Sequence, residues 1–256
     1  MTMRLRGRKG IREELERQPD TIVLDAAPHK GKWRAFFGND RPIHVELGMG
    51  KGKFISEMSG RNPDINFIGV DMYDELIRRA AEKAKTVWEP KGYDRPPNLA
   101  LLRANIEGID TMFEPGEIER IFLNFSDPWP KSKHARRRLT HPRFLAKYRE
   151  LLNANGEIHF KTDSQSLFEF SLNSFADMEI PLRNIALDLH KDGLRDDLVL
   201  TEYESKFVAK GKNIFRLEAV IGDKVLAAHR QAKKAALADK GKDAAGGPEI
   251  KFPAIR

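Results

Sequence analysis

The chain has 256 residues, 40% hydrophobic and 32% charged, which supports a sizeable core and excludes a disordered chain. No apolar stretch approaches the roughly 20 residues of a membrane helix, and the start MTMRLRGRKG lacks the apolar segment of a secretory signal, so a soluble, cytoplasmic protein with no membrane partner is expected. Cysteine is absent, which excludes disulfides, thiolate nucleophiles and cysteine-ligated metals.

The net charge of +7 favours polyanionic partners, and its distribution is informative. Residues 1–12 and 129–138 each carry five cations and no acid, and residues 223–256 carry four more cations than acids, so the rest of the chain sums to −7. Basicity is local and the body is acidic.

In chain order, IREELERQ predicts a short helix. IHVELG, from Ile43, is a short apolar run ending at glycines and predicts a buried strand. KGKFISEMS carries Phe54, Ile55 and Met58 at helical spacing. NFIGVD predicts a second strand ending at Asp71, and DELIRRAAEKAKTVW places Leu76, Ile77, Ala80, Ala84 and Val87 on one helical face. LALLRAN and IERIFLNF predict strands three and four. HPRFLAKYRELLNANG predicts a helix with Thr140 as N-cap, Pro142 in its first turn, Phe144, Tyr148, Leu151 and Leu152 inward, and Gly156 turning the chain into a fifth strand, EIHFKTD. SLFEFSLNSF predicts another helix and NIFRLEAVIG a late strand. One helix is expected to continue to about Lys240, before a flexible tail. The alternation argues for an α/β domain over residues 43–222 with a mainly parallel sheet, flanked by a basic, partly flexible extension (1–42) and a C-terminal helix and tail (223–256).

Ligands of such sheets bind outside the carboxyl ends of the strands. Strand one ends in ELGMGKG, where Glu46, Gly48, Gly50 and Gly52 form E-x-G-x-G-x-G ahead of a helix, so the backbone can pass close to a cofactor. The third glycine falls one residue earlier than in the dinucleotide fingerprint, which disfavours nicotinamide binding. Asp71, about 20 residues on, suits the two hydroxyls of a ribose. After strand four comes NFSDPWPKSKHARRRL, in which Asp127, Pro128, Trp129 and Pro130 make a stiff turn followed by five cations, a grouping suited to phosphate contacts and base stacking. Lys161-Thr162-Asp163 and the segment Thr201 to Glu204 add further polar groups in the same row.

At these residues the chain resembles the bacterial tRNA (guanine-N7)-methyltransferases, class I enzymes that use S-adenosylmethionine. The match runs from about Ile43 to Val220 through VELGMGKGKF, FIGVD, NFSDPWPKSKHARRRLTHPRFL, GEIHFKTD and TEYESKF, in order. The resemblance implies a Rossmann-like, mostly parallel seven-stranded sheet with helices on both faces and its last strand antiparallel, methylation of a variable-loop guanosine at tRNA position 46, tRNA as partner, no metal, and a monomer or homodimer. By the same resemblance, Glu46 and Gly48 line the methionine and adenosine pocket, Asp71 holds the ribose, and Asn105, an Asp in many members, contacts adenine. Asp127 is implied as catalytic residue and cofactor contact. Lys131, Lys133, His134, Ala135, Arg136, Arg137, Arg138, Asp163, Thr201, Glu202, Tyr203 and Glu204 are implied to bind tRNA. The rival readings are another class I RNA methyltransferase and a noncatalytic RNA-binding subunit with a vestigial fold. Intact Glu46, Asp71 and Asp127 argue against the latter.

Overall fold

The structure, a computed structural model, describes residues 10–194 and 197–243. Arg4, Arg6, Arg8 and Lys9 of the basic start, and the tail from residue 244, lie outside the described residues.

The short apolar runs become central strands because both faces of a parallel sheet are covered, so they need no polar side. These are β2 (Ile43–Leu47), β3 (Asn66–Asp71), β4 (Leu99–Arg103), β5 (Ile118–Asn124) and β6 (Leu152–Thr162). Two strands carried no sequence signal of their own: β1 (Ile22–Val23) and β7 (Leu182–Ala186). With β8 (Phe215–Val220) they complete a sheet in the order β1-β4-β3-β2-β5-β6-β8-β7, in which β8 runs antiparallel to both neighbours. The sheet therefore has eight strands where seven were expected. The extra one is the two-residue β1, which pairs Ile22 with Leu101 on the β4 edge.

Helices cover both faces. On one, α3 (Lys53–Arg61) and α4 (Asp74–Trp88) bury Ile55, Ile77, Ala80 and Ala84 against Phe67, Leu99 and Leu101. Leu76 and Val87, at the margins of the expected α4 stripe, are only half-buried. On the other, α5 (Ile109–Met112), α6 (Pro142–Leu151) and α7 (Gln165–Asp177) bury Met112, Phe144, Tyr148 and Phe168 against Val45, Val70, Ile121 and Phe160. Residues of the expected N-terminal extension join these cores: α1 (Ile11–Glu16) buries Leu15, and α2 (Trp33–Phe37) buries Trp33, whose indole donates to Met112 O at 2.9 Å.

One expectation at α6 is corrected. Its N-cap is His141, whose Nδ1 accepts from Arg143 N, while the Thr140 hydroxyl is buried against Ser171 Oγ at 2.7 Å and is unavailable for capping. The helix stops at Leu151, and the chain then bulges before it runs along β5: Leu152 pairs with Ile118 but Glu157 with Arg120, so residues 153–156 lie out of register. Gly156 closes this bulge, where a Cβ would sit 2.6 Å from Leu152 Cβ and 2.8 Å from Asn153 O. It is required by a close approach, not by handedness. Beyond Gly222, α9 (Asp223–Asp243) extends slightly past the end expected for it.

Because β3 and β5 flank β2 on opposite sides, the chain order reverses between β2 and β5. This is the crevice where open α/β sheets bind ligands.

Candidate active site

The turn after β2 is held by β3. Gly48 N and Met49 N both donate to Val70 O, and Gly50 N donates to Asp71 Oδ2 at 3.1 Å. Gly48 and Gly50 sit at φ 79° and 56°, which favours glycine, and a Cβ on either would meet only open space. The open side is therefore free for a ligand to touch backbone. Gly52 serves packing instead, since its Cβ would lie 2.5 Å from Ala80 Cβ, and its bare backbone lets α3 pack on α4.

Glu46 points into the same crevice from β2 and is 2% exposed. Its Oε1 accepts from Asn124 Nδ2 at 2.9 Å, and its buried Oε2 has no partner. Burial pushes its carboxyl up to about 8, against the opposing pull of the Asn124 hydrogen bond. Asp71 is raised too, chiefly by burial and slightly by the charge of Asp127, although the N–H groups of Tyr73, Gly50 and Met72 favour its charged form. Asn105 is exposed at the end of β4, where its side-chain oxygen accepts from Glu107 N at 3.1 Å. Glu46, Gly48, Gly50, Asn124, Phe125 and Tyr203 line a cleft of about 440 Å³ including its mouth. An orphaned buried carboxylate oxygen beside bare glycine backbone, with a second carboxylate within reach, fits a cationic cofactor carrying a ribose.

The loop after β5 leaves the sheet under strain. Phe125 (φ 52°) and Trp129 (φ 41°) are both left-handed although neither is glycine. Asp127 is exposed between them. The basic run that follows, largely a 3-10 turn over Ser132–Arg137, divides by exposure. Lys131, Lys133, Arg136 and Arg137 are exposed, with the Arg137 guanidinium 4.8 Å over the Trp129 ring. His134 and Ala135 are half-buried. Arg138 is buried, so it does not belong with the exposed cations that the sequence grouped it with. Arg143 of α6 fastens this loop from outside, donating to Arg136 O at 2.5 Å and through two nitrogens to Glu107, beside Asn105.

The fourth wall is α8 (Glu202–Val208). Thr201 caps it with Glu204 in a reciprocal capping box. Lys53 Nζ donates to Leu200 O and Lys51 Nζ to Glu202 Oε2, each at 2.9 Å, which ties this segment to the glycine turn. Glu204 is fully buried: its Oε2 accepts from Lys161 Nζ at 2.5 Å and from Thr201 N, and its Oε1 lies 2.9 Å from His190 Nε2. Burial lowers the Lys161 pKa despite that partner. Glu204, expected on the tRNA surface, is thus a structural carboxylate, and Thr201 is buried with it. Tyr203 is 58% exposed at the cleft mouth and stacks on Phe207, which in turn faces Phe125. Asp163, half-buried, lies 4.0 Å from Lys212.

Sequence reasoning brought together Glu46, Gly48, Asp71, Asn105 and Asp127, and missed Asn124, Lys51, Lys53, Arg143 and His190. Asn124 had a signal, a polar residue closing the apolar run IFLN; the others act through partners far away in the chain.

A family model described as "Putative methyltransferase" matches residues 40–217. The tRNA (guanine-N(7)-)-methyltransferase of Streptococcus sanguinis (strain SK36) is 48% identical over 85% of this chain and 99% of its own length. The protein of the same name from Lysinibacillus sphaericus (strain C3-41) is also 48% identical, over 85% of this chain and 97% of its own. Among solved structures, the 16S rRNA methyltransferase KamB (TM-score 0.55, 14% identity, 75% of this chain, 93% of that one) shares the fold. So does the 16S rRNA (adenine(1408)-N(1))-methyltransferase of Catenulisporales acidiphilia (TM-score 0.52, 16% identity, 78% and 96%). The fold is that of the class I methyltransferases, and, with nearly half its residues shared across almost the whole length of such relatives, the chain belongs to the tRNA (guanine-N7)-methyltransferase family.

Proposed function

We infer that the protein transfers the methyl group of S-adenosylmethionine to N7 of a guanosine in the variable loop of tRNA. One juxtaposition carries the reading: the cleft lined by Glu46 and Gly48, with Asp71 bonded to Gly50 N beside it, shares Phe125 with the strained loop that carries Asp127 and four exposed cations, Lys131, Lys133, Arg136 and Arg137. When bound, S-adenosylmethionine supplies a methyl group on a positively charged sulfur. Glu46 offers its free oxygen to the positive charge of the cofactor, Gly48 leaves its backbone open to contact, and Asp71 receives the ribose hydroxyls. Asn105 meets adenine with its amide, one oxygen lone pair being already used by Glu107 N.

Guanine N7 has a free lone pair and no proton, so no general base is required. The work of the protein is alignment, and stabilisation of a purine that becomes cationic. Asp127 supplies the negative charge for that, and Pro128, Trp129 and Pro130 fix where it stands. Arg136, Arg137, Lys131 and Lys133 hold the RNA backbone, with Tyr203, Glu202 and Asp163 around the cleft mouth. Residues 43–222, with α1, β1 and α2 packed onto their core, form the catalytic domain, and the enzyme works in the cytoplasm as a monomer or homodimer, which light scattering distinguishes.

The test is incubation with methyl-labelled cofactor and unmodified tRNA, followed by nucleoside analysis. 7-Methylguanosine is the expected product. A different methylated nucleoside would place the protein among other RNA methyltransferases, and failure to bind cofactor in a calorimetric titration would make it a vestigial RNA-binding fold.

A further inference from the structure

We propose that Arg138 is a positioning residue for methyl transfer: it braces the turn that carries Asp127 and makes no contact with the RNA. This rests on the activity inferred above. By its place in the basic run Arg138 belongs with Arg136 and Arg137, and the structure separates it from them. It is 9% exposed. Its Nε donates to Pro128 O at 3.1 Å and its Nη2 to Trp129 O at 3.0 Å, and its guanidinium carbon lies 4.3 Å over the Phe170 ring of α7. No carboxylate pairs with it among the described residues. Two carbonyls and an aromatic face receive its charge.

The turn needs such a brace. Pro128 and Pro130 have no N–H to donate. Among the described residues, no backbone hydrogen bond closes the segment 126–130 on itself. Trp129 is held at φ 41°, a conformation that persists in a non-glycine residue only where the surroundings over-determine it. The two Arg138 bonds fall on the carbonyls just after Asp127 and at the strained residue.

The anchor is rigid. The stretch after Arg138 is fixed to the same helix by the Thr140 to Ser171 hydroxyl contact at 2.7 Å and by His141 stacking on Phe170, ring centres 6.3 Å apart. Arginine is the residue type suited to such bracing, because its planar fork reaches two neighbouring carbonyls while its face lies on a ring. A lysine ammonium can do only one of these well.

A phosphate contact and a brace respond differently to a lysine, which preserves charge but not the fork. With full-length enzyme and tRNA, Arg138→Lys is expected to lower kcat at saturating tRNA and cofactor by about tenfold or more, the penalty for a misplaced catalytic group. The tRNA Kd and its salt dependence should stay within about twofold of wild type. Phe170→Leu, which removes only the ring under the guanidinium, should lower kcat in the same way by about threefold, on the order of a lost cation–π contact. Arg136→Gln is the contrast, expected to weaken tRNA binding and flatten its salt slope by about one. Wild-type kcat in Arg138→Lys would overturn the proposal, as would a flattened salt slope like that of Arg136→Gln. If Arg138→Lys fails to fold, Phe170→Leu decides, and wild-type kcat there overturns it. Formation of 7-methylguanosine by the wild-type protein in the same assay separates a failure of this proposal from a failure of the assigned activity.

Discussion

Glu46 takes one hydrogen bond, from Asn124 Nδ2 at 2.9 Å, and leaves its second buried oxygen without a donor. Burial raises its carboxyl to about 8 in the cofactor-free protein, from about 4.5 when the chain is unfolded. A folded-state value above the unfolded one stabilises fully below pH 4.5, and that contribution is lost as the pH rises through 8. Glu46→Gln should therefore melt higher than wild type at pH 8.5, by an amount on the order of a few kcal/mol, and lose the advantage towards pH 4.5. Thermal melts across that range check it. The same variant should bind S-adenosylmethionine more weakly. In wild type, cofactor affinity should increase with pH towards 8 and binding should release protons, read from calorimetry in buffers of different ionisation heat.

Asp127→Asn keeps the shape of the turn and removes its charge. Loss of one preorganised electrostatic stabiliser should cost roughly 100- to 1000-fold in the single-turnover methylation rate, with a much smaller change in cofactor affinity. Full turnover at saturating cofactor would remove Asp127 from the mechanism.

Arg136→Gln and Arg137→Gln should each reduce the slope of log affinity for tRNA against log salt by about one. Filter binding between about 50 and 200 mM salt measures this. Arg137 also lies over Trp129, so its loss should raise the quantum yield or shift the emission of that indole, a change absent in Arg136→Gln.

Glu204→Ala strands a buried lysine. It removes the partner of Lys161 and His190 and half of the capping box of α8, and breaking a buried pair in this way costs about 3–5 kcal/mol. The double variant Lys161→Met, Glu204→Leu should be markedly more stable than Glu204→Ala. A denaturant series on the two decides it: equal stabilities would mean that Glu204 acts only through its cap.

The strand ends were readable because their chemistry is local. Glycines after Leu47, the aspartate closing NFIGVD and the prolines around Trp129 each declare a turn or a ligand by themselves. What the sequence hid depends on partners far away. A run of arginines looks uniformly solvated, and only the placement of Phe170 on α7 shows that Arg138 turns inward while Arg137 does not. Glu204 reads as an exposed helix acid until β6 brings Lys161 beneath it. β1 is too short to show alternation, and Thr140 was a better N-cap than His141 by composition alone until Ser171 claimed its hydroxyl.

Arg143 reaches two places at once: the carboxylate of Glu107, whose N–H bonds the side chain of Asn105, and the carbonyl of Arg136 in the cationic loop. One guanidinium thus shares its donors between the segment proposed to meet the small ligand and the segment proposed to meet the large one. Any shift of residues 105–108 on filling of the cleft is passed to the loop as a change in one donor geometry. Linkage makes such an exchange reciprocal, so whatever factor occupancy of the cleft adds to tRNA affinity, tRNA must return to the cofactor, and both factors should fall towards one when Arg143 is replaced by Met.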